Sequence, residues 1–164
     1  KQQSRLRILD IGCGVGTSLL ALHDHYGAAG DYWGLDKTEV AKTIYYGFEK
    51  EAAACNDMAV ARELLIRNGL PQTHLHLVDI LEQPYPRDAA FDIIVSTMSW
   101  GFHYPVDVYF EDVEHSTRPG ALVLIDHRRG TGGEALMERN FDVVHADKRS
   151  KSSRVIWRRR GAAE

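Results

Sequence analysis

Cysteine is nearly missing from this chain. Cys13 and Cys55 are the only two, and they stand in unrelated contexts. That excludes a disulfide framework and fits a reducing cytosol. Long apolar runs are missing too. None approaches the roughly 18 residues that a membrane span requires, and no signal-peptide pattern opens the chain. There are no repeats and no low-complexity linker. A cation surplus is lacking as well: the net charge is −3, which argues against generic polyanion binding. The chain has one glycine cluster, but no G-K-[ST] follows it, so a phosphate-binding P-loop is excluded. Position 17 is Thr, where a dinucleotide fingerprint starting at Gly12 would place a third glycine. No carboxylates cluster at strand ends, so no metal site is expected.

What is there fits one compact α/β domain over residues 1–164. A chain of this size buries about 70% of its unfolded surface. Hydrophobic residues make up 44% and charged residues 26%, which leaves enough apolar surface for a core. It starts on Lys1 rather than Met, as a trimmed or excised piece would. "RLRILDI" reads as a buried strand running into a glycine-rich turn. "TSLLALHDHYG" follows as a helix, with Leu19, Leu20 and Leu22 inward and an end near Gly27. "DYWGLD", "HLHLVDI", "FDIIVST" and "ALVLIDH" are further strands; "MAVARELLIRNG" is a helix with a glycine stop. A helix is expected over Pro105–Thr117, then a turn at Pro119–Gly120, and a short helix around Glu134–Arg139. "FDVVHAD" and "RVIWRRR" should pair antiparallel. Near-continuous Val/Ile/Leu strands with crossovers imply a parallel sheet covered on both faces.

In such a sheet, ligands bind outside the carboxyl ends of the strands, where the strand order reverses. Gly12, Gly14 and Gly16 follow strand one, where glycines let the backbone turn and approach a ligand. Asp10, two residues ahead of them, would repel a pyrophosphate and suits a ligand carrying an ammonium group. Asp36 ends strand two and could accept both hydroxyls of a ribose. Asp79 ends strand three and could accept a hydrogen bond from an exocyclic amine. Each Asp alone could equally be a cap or turn residue. Three at successive strand ends beside a glycine loop point to one site.

With those residues in place, the chain resembles class I S-adenosylmethionine-dependent methyltransferases. "ILDIGCGVG", "YWGLDK", "LVDI", "FDIIVST" and "RPGALVLID" match that family's successive motifs in order, over nearly the whole chain. The resemblance implies a Rossmann-like, doubly wound seven-stranded sheet in the order 3-2-1-4-5-7-6, with strand seven antiparallel. It implies S-adenosylmethionine as cofactor. Asp10 and the Gly12–Gly16 loop would hold its methionine end, Asp36 its ribose, and Asp79 with the Ile80 backbone its adenine. Ser96 would lie beside the methionine moiety, while Cys13 would only fill space in the loop. The family commonly carries helices ahead of strand one, and here only a few residues precede Arg5. Conversely, residues 38–57 form a surplus before strand three. Its Tyr45, Tyr46 and Phe48 around Gly47 suit either a cap over the site or a packed extension.

The acceptor side should lie in "STMSWGFHYP". Trp100, Phe102 and Tyr104 are its candidate acceptor-binding residues, although alternation sends some of them to the core. His103 and His127 are candidate bases, since imidazole titrates near neutrality. The plainer reading of His103 is a hydrogen-bonded loop histidine. The N/D-P-P-Y/F motif of enzymes that N-methylate bases is missing, and "SWGFHYP" is similar to bacterial sugar O-methyltransferases. A small-molecule acceptor, methylated at a hydroxyl, therefore leads. Half of the 20 Lys and Arg lie from Arg128 onward, in a terminal hairpin that either guards a sheet edge or docks RNA or an acidic protein. A non-catalytic binding or scaffold module of the same fold is the third reading.

Overall fold

The computed structural model describes residues 5–40 and 55–161. Its centre is β1 (Leu6–Ile11), in which Ile8, Leu9 and Ile11 are fully buried, as an apolar run between two helical layers must be. Around it lie β2 (Gly30–Asp36), β5 (Leu75–Asp79), β6 (Phe91–Ser96), β7 (Thr117–Arg128), β8 (Phe141–Lys148) and β9 (Ser152–Arg159). They form one seven-stranded sheet in the order β5-β2-β1-β6-β7-β9-β8. Counting only these strands along the chain, that is 3-2-1-4-5-7-6, as expected. β1, β2, β5, β6 and β7 run parallel, and β9 is antiparallel to both neighbours. The order reverses at β1, whose carboxyl end is flanked by those of β2 and β6.

The helices follow from local signals. α1 (Thr17–Tyr26) starts directly from the glycine turn, with Leu20 N–H donating to Gly16 C=O at 3.0 Å. Leu19 is buried, while Leu20 and Leu22 are half-buried. α2 (Met58–Arg67) is capped by Asp57, whose carboxylate accepts from the N–H groups of Ala59 and Val60. Its Met58, Ala61 and Leu65 fall on one buried face. It ends in a Schellman pair: Gly69 N–H donates to Ile66 C=O and Leu70 N–H to Leu65 C=O. The Leu65 side chain packs against the Gly16 backbone, so α2 buttresses the glycine turn.

Three expectations need correction. The helix expected over Pro105–Thr117 divides into a 3-10 turn (Val106–Val108) and α3 (Phe110–Ser116). Trp100 causes the division: its indole Nε1–H takes the Val106 C=O at 2.9 Å, so that carbonyl points into the core. Pro119–Gly120 is no turn before a strand but lies inside β7. The register against β6 jumps from Phe91↔Thr117 to Ile93↔Leu122, and this irregularity absorbs both residues. The short helix α4 runs Gly133–Met137, earlier than anticipated. Of the 38–57 surplus, the edges are described: β3 (Glu39–Val40) pairs antiparallel with β4 (Cys55–Asn56). Residues 41–54, with Tyr45, Tyr46 and Phe48, lie outside the described residues.

The two faces of the sheet are separately packed. One layer gathers Leu9, Ile11, Trp100, Phe110, Phe141 and Trp157, the other Ile8, Leu19, Tyr32, Leu65 and Leu75. Each fully buried Leu or Ile contributes roughly 1.5–3 kcal/mol relative to exposure. Asp92 sits at the amino end of β6, where it accepts from Arg7 N–H and the Arg118 guanidinium, away from the carboxyl ends. Among the described residues no helix is long and apolar enough to cross a membrane, and none of their His, Cys, Asp and Glu side chains group as metal ligands.

Candidate cofactor and acceptor site

The glycine loop is tied to the end of β2. Gly12 and Cys13 N–H groups both donate to Leu35 C=O, at 2.7 and 3.2 Å. Gly12 has φ +73, and a Cβ there would fall 1.8 Å from Ser99 Oγ and 3.3 Å from the Tyr104 hydroxyl. Only glycine fits both that conformation and that approach. Cys13 is buried, and burial first of all, with Asp10 and Asp36 adding to it, pushes its thiol well above the usual range. No thiolate forms there, in line with a filler role.

The three carboxylates stand at the three strand ends, in different states. Asp10 is 1% exposed, and its Oδ1 is buried without a partner. Burial pushes its pKa up to about 7; a hydrogen bond with Ser18 pulls it back, and the charge of Asp36 adds to the rise. Asp36 accepts from Gly14 N–H at 2.7 Å and from its own neighbour Lys37 N–H at 2.8 Å. Burial still raises it above an ordinary carboxylate, since the two N–H bonds offset only part of that penalty. Asp79 accepts from Thr38 N–H at 3.1 Å and Leu81 N–H at 3.0 Å. Slight burial works upward, but the Thr38 side chain, and then these two N–H donors, hold it below the ordinary value. Ile80 N–H donates to Asp36 C=O at 2.9 Å. That N–H is engaged within the sheet, so a reading of adenine by the Ile80 backbone would not use it in this arrangement. The same bonds lock the ends of β1, β2 and β5 into one frame.

The loop after β6 divides its residues between core and site. Ser96 is fully buried; its hydroxyl donates to Ile11 C=O at 2.8 Å and accepts from Trp100 N–H at 2.9 Å. Those two bonds tie β1 to the loop from within the core. Trp100 is fully buried with its indole N–H satisfied, so it is core and not an acceptor wall. Tyr104 behaves differently. Its hydroxyl accepts from Ser99 Oγ at 3.1 Å, and the pair lies over Gly12. Burial, and to a smaller degree Tyr109, Asp36 and Asp10, keep that phenol protonated far beyond neutrality. Phe102 is half-buried, with the Arg128 guanidinium 5.4 Å from its ring centre and His103 edge-on at 5.1 Å. His103 stays half-buried in the loop.

His127 is the clearest correction. It is 1% exposed, and its Nε2 accepts from Trp157 Nε1–H at 3.0 Å. Burial, only partly offset by Glu134 and Asp126, pushes its pKa down to about 4. A ring so placed is a neutral member of the core and cannot take a proton from an acceptor. Sequence reasoning missed Ser99, Ser18 and Tyr109. Ser18 and Thr97 hydroxyls meet at 3.3 Å, joining α1 to the loop after β6. Tyr109 packs edge-on to Tyr104 at 6.1 Å and feels the charge of Asp36. A serine in a helix's first turn, a serine in a loop and a tyrosine beyond a proline carry no special pattern, so only the fold brings them together.

Residues 1–149 match the family model described as a methyltransferase domain. The structure is similar to an S-adenosylmethionine-dependent methyltransferase from Mesorhizobium loti, with TM-score 0.62 and 17% identity, covering 97% of this chain and 93% of that one. It is similar to the O-methyltransferase segment StiE O-MT, with TM-score 0.64 and 12% identity over 96% of this chain and 69% of that one. The [4+2]-cyclase SpnF is also similar, with TM-score 0.64 and 16% identity over 97% of this chain and 76% of that one. At such identities these likenesses describe the fold. No curated protein matches the chain by sequence.

Proposed function

This chain belongs to the S-adenosylmethionine-dependent methyltransferases, and on that premise we propose that it methylates a small molecule at a hydroxyl, held against the Ser99–Tyr104 pair. The described residues fit the cofactor. An unpartnered, deeply buried Asp10 oxygen suits its ammonium group, and the Gly14 backbone faces open space that a ligand can enter. Asp36 keeps lone pairs beyond its two N–H partners and is placed to accept the ribose hydroxyls. Asp79 is the adenine-side acid. Bound there, S-adenosylmethionine supplies an electrophilic sulfonium methyl, so the cofactor carries the difficult chemistry.

The protein's own work is alignment and proton handling. Alignment can be worth ~7–11 kcal/mol in ideal cases. The observation that carries the hydroxyl reading is the Ser99–Tyr104 pair over Gly12, two neutral hydroxyls that can orient an acceptor oxygen. Tyr104 stays a phenol and so acts as donor, not base. With His127 committed to Trp157, His103 is the base this reading retains. Docking of RNA through the terminal hairpin is disfavoured, because four of its cations already hold carboxylates: Arg149 pairs with Asp147, Arg154 with Asp126, Arg159 with Glu114 and Arg160 with Asp142. The test is S-adenosylhomocysteine release across a panel of sugars, phenols, amines and RNA. Hydroxyl compounds should turn over, and Tyr104→Phe should lower their turnover on the order of 10–100-fold at unchanged cofactor affinity. Turnover confined to amines or RNA would sink the reading.

A further inference from the structure

One residue of the acceptor loop has a backbone that its own side chain does not explain. Met98 has φ +55, a left-handed conformation that costs a residue with a Cβ, and its side chain is 53% exposed. Packing cannot be what fixes it. Its N–H donates to Asp126 Oδ2 at 3.1 Å. Asp126 lies two residues before the end of β7 and is itself gripped: Arg154 Nε meets Oδ1 at 2.8 Å, and Arg154 Nη2 meets Oδ2 at 2.9 Å. Such a fork fixes the carboxylate plane as well as its place. Arg154 stands directly opposite Asp126 in the β7–β9 register, with Asp147 of β8 opposite on its other side.

The rest of the loop leans on the same support. The Ser99 carbonyl accepts from Phe102 and His103 N–H groups at 3.0 and 2.8 Å, and Arg128 N–H donates to Gly101 C=O at 2.9 Å. A Cβ on Gly101 would lie 3.0 Å from Asp126 O, so the loop rests against β7 itself. We propose that Asp126 is a positioning residue: gripped by Arg154, it holds Met98 left-handed and thereby sets Ser99 and Tyr104 over Gly12. The terminal hairpin then serves the acceptor side from behind, through Arg154, without touching the acceptor. This rests on the reading of Ser99 and Tyr104 as acceptor-side groups.

Amide hydrogen exchange of the full chain, with S-adenosylhomocysteine as probe ligand, tests it. Asp126→Asn should speed exchange of the Phe102, His103 and Arg128 amides by roughly tenfold or more, while the amides of Leu9 and Ile94 in the central strands stay unchanged. Arg154→Lys should fall between Arg154→Met and the parent, because a lysine cannot make the fork. Adding Met98→Gly to Asp126→Asn should restore slow exchange, since glycine adopts φ +55 without a brace. Unchanged loop amides in Asp126→Asn, a rise shared by all strands, or no recovery with Met98→Gly would each overturn the proposal. Failure of the parent protein to bind S-adenosylhomocysteine would instead remove the functional reading and leave the exchange result to judge the brace.

Discussion

Asp10 and His127 are both buried ionisable groups, and burial moves them in opposite directions. For Asp10 the folded-state pKa is raised to about 7, so folding favours its protonated form. The unliganded protein therefore loses stability from this group as pH rises from about 4 to about 7. A cationic ligand reverses the preference, because it favours the carboxylate. Cofactor affinity should rise about tenfold between pH 6 and pH 8, and calorimetry at the two pH values measures it. Asp10→Asn should flatten that dependence; an unchanged slope in the variant would remove Asp10 from the cofactor site. For His127 the folded pKa is depressed to about 4 from an ordinary 6.5. Its contribution is present above pH 6.5 and is lost as pH falls toward 4, up to about 3 kcal/mol. His127→Gln should blunt that acid destabilisation in urea titrations at pH 7 and pH 5. An equal acid loss in both proteins would mean that the ring is not buried neutral.

At the scale of elements, the loop after β6 is where the sequence was hardest to read. Trp100, Phe102, His103 and Tyr104 alternate, and alternation alone shows only that they cannot all share one side. Burial makes the division: Trp100 fills the core beneath the loop and Tyr104 joins Ser99 above Gly12. Trp100→Ala should cost about 3–5 kcal/mol in chemical denaturation, as other large core truncations do. A cost below ~1 kcal/mol would place the ring at the surface, where an acceptor could reach it. The strands were legible because continuous Val, Ile and Leu runs have few other uses. The aspartates at their ends were legible because each follows such a run. His127 was not: it sits at the end of β7 in the chain, and only its partner Trp157, thirty residues away, makes it core. Pro119–Gly120 misled for a similar reason, since a strand irregularity absorbs a pair that usually marks a turn.

At the scale of the molecule, the sheet order brings the ends of β1, β2, β5 and β6 to one edge, and backbone bonds through Asp36, Asp79 and Leu35 fasten the first three together. At the opposite edge of the sheet Arg154, Arg159 and Arg160 are held in ion pairs, and the charge on the hairpin guards an edge strand. RNA affinity with a steep salt dependence is therefore not expected; a filter-binding slope approaching −0.7 per phosphate contacted would contradict this. The central claim is that the cofactor lies across that edge with its ribose on Asp36. Isothermal titration of S-adenosylhomocysteine into the parent protein and into Asp36→Ala tests it most directly. The account predicts one site per chain and a loss of about 10–100-fold in the variant, the worth of hydrogen bonds to a charged acceptor. Equal affinity in the two proteins would contradict it.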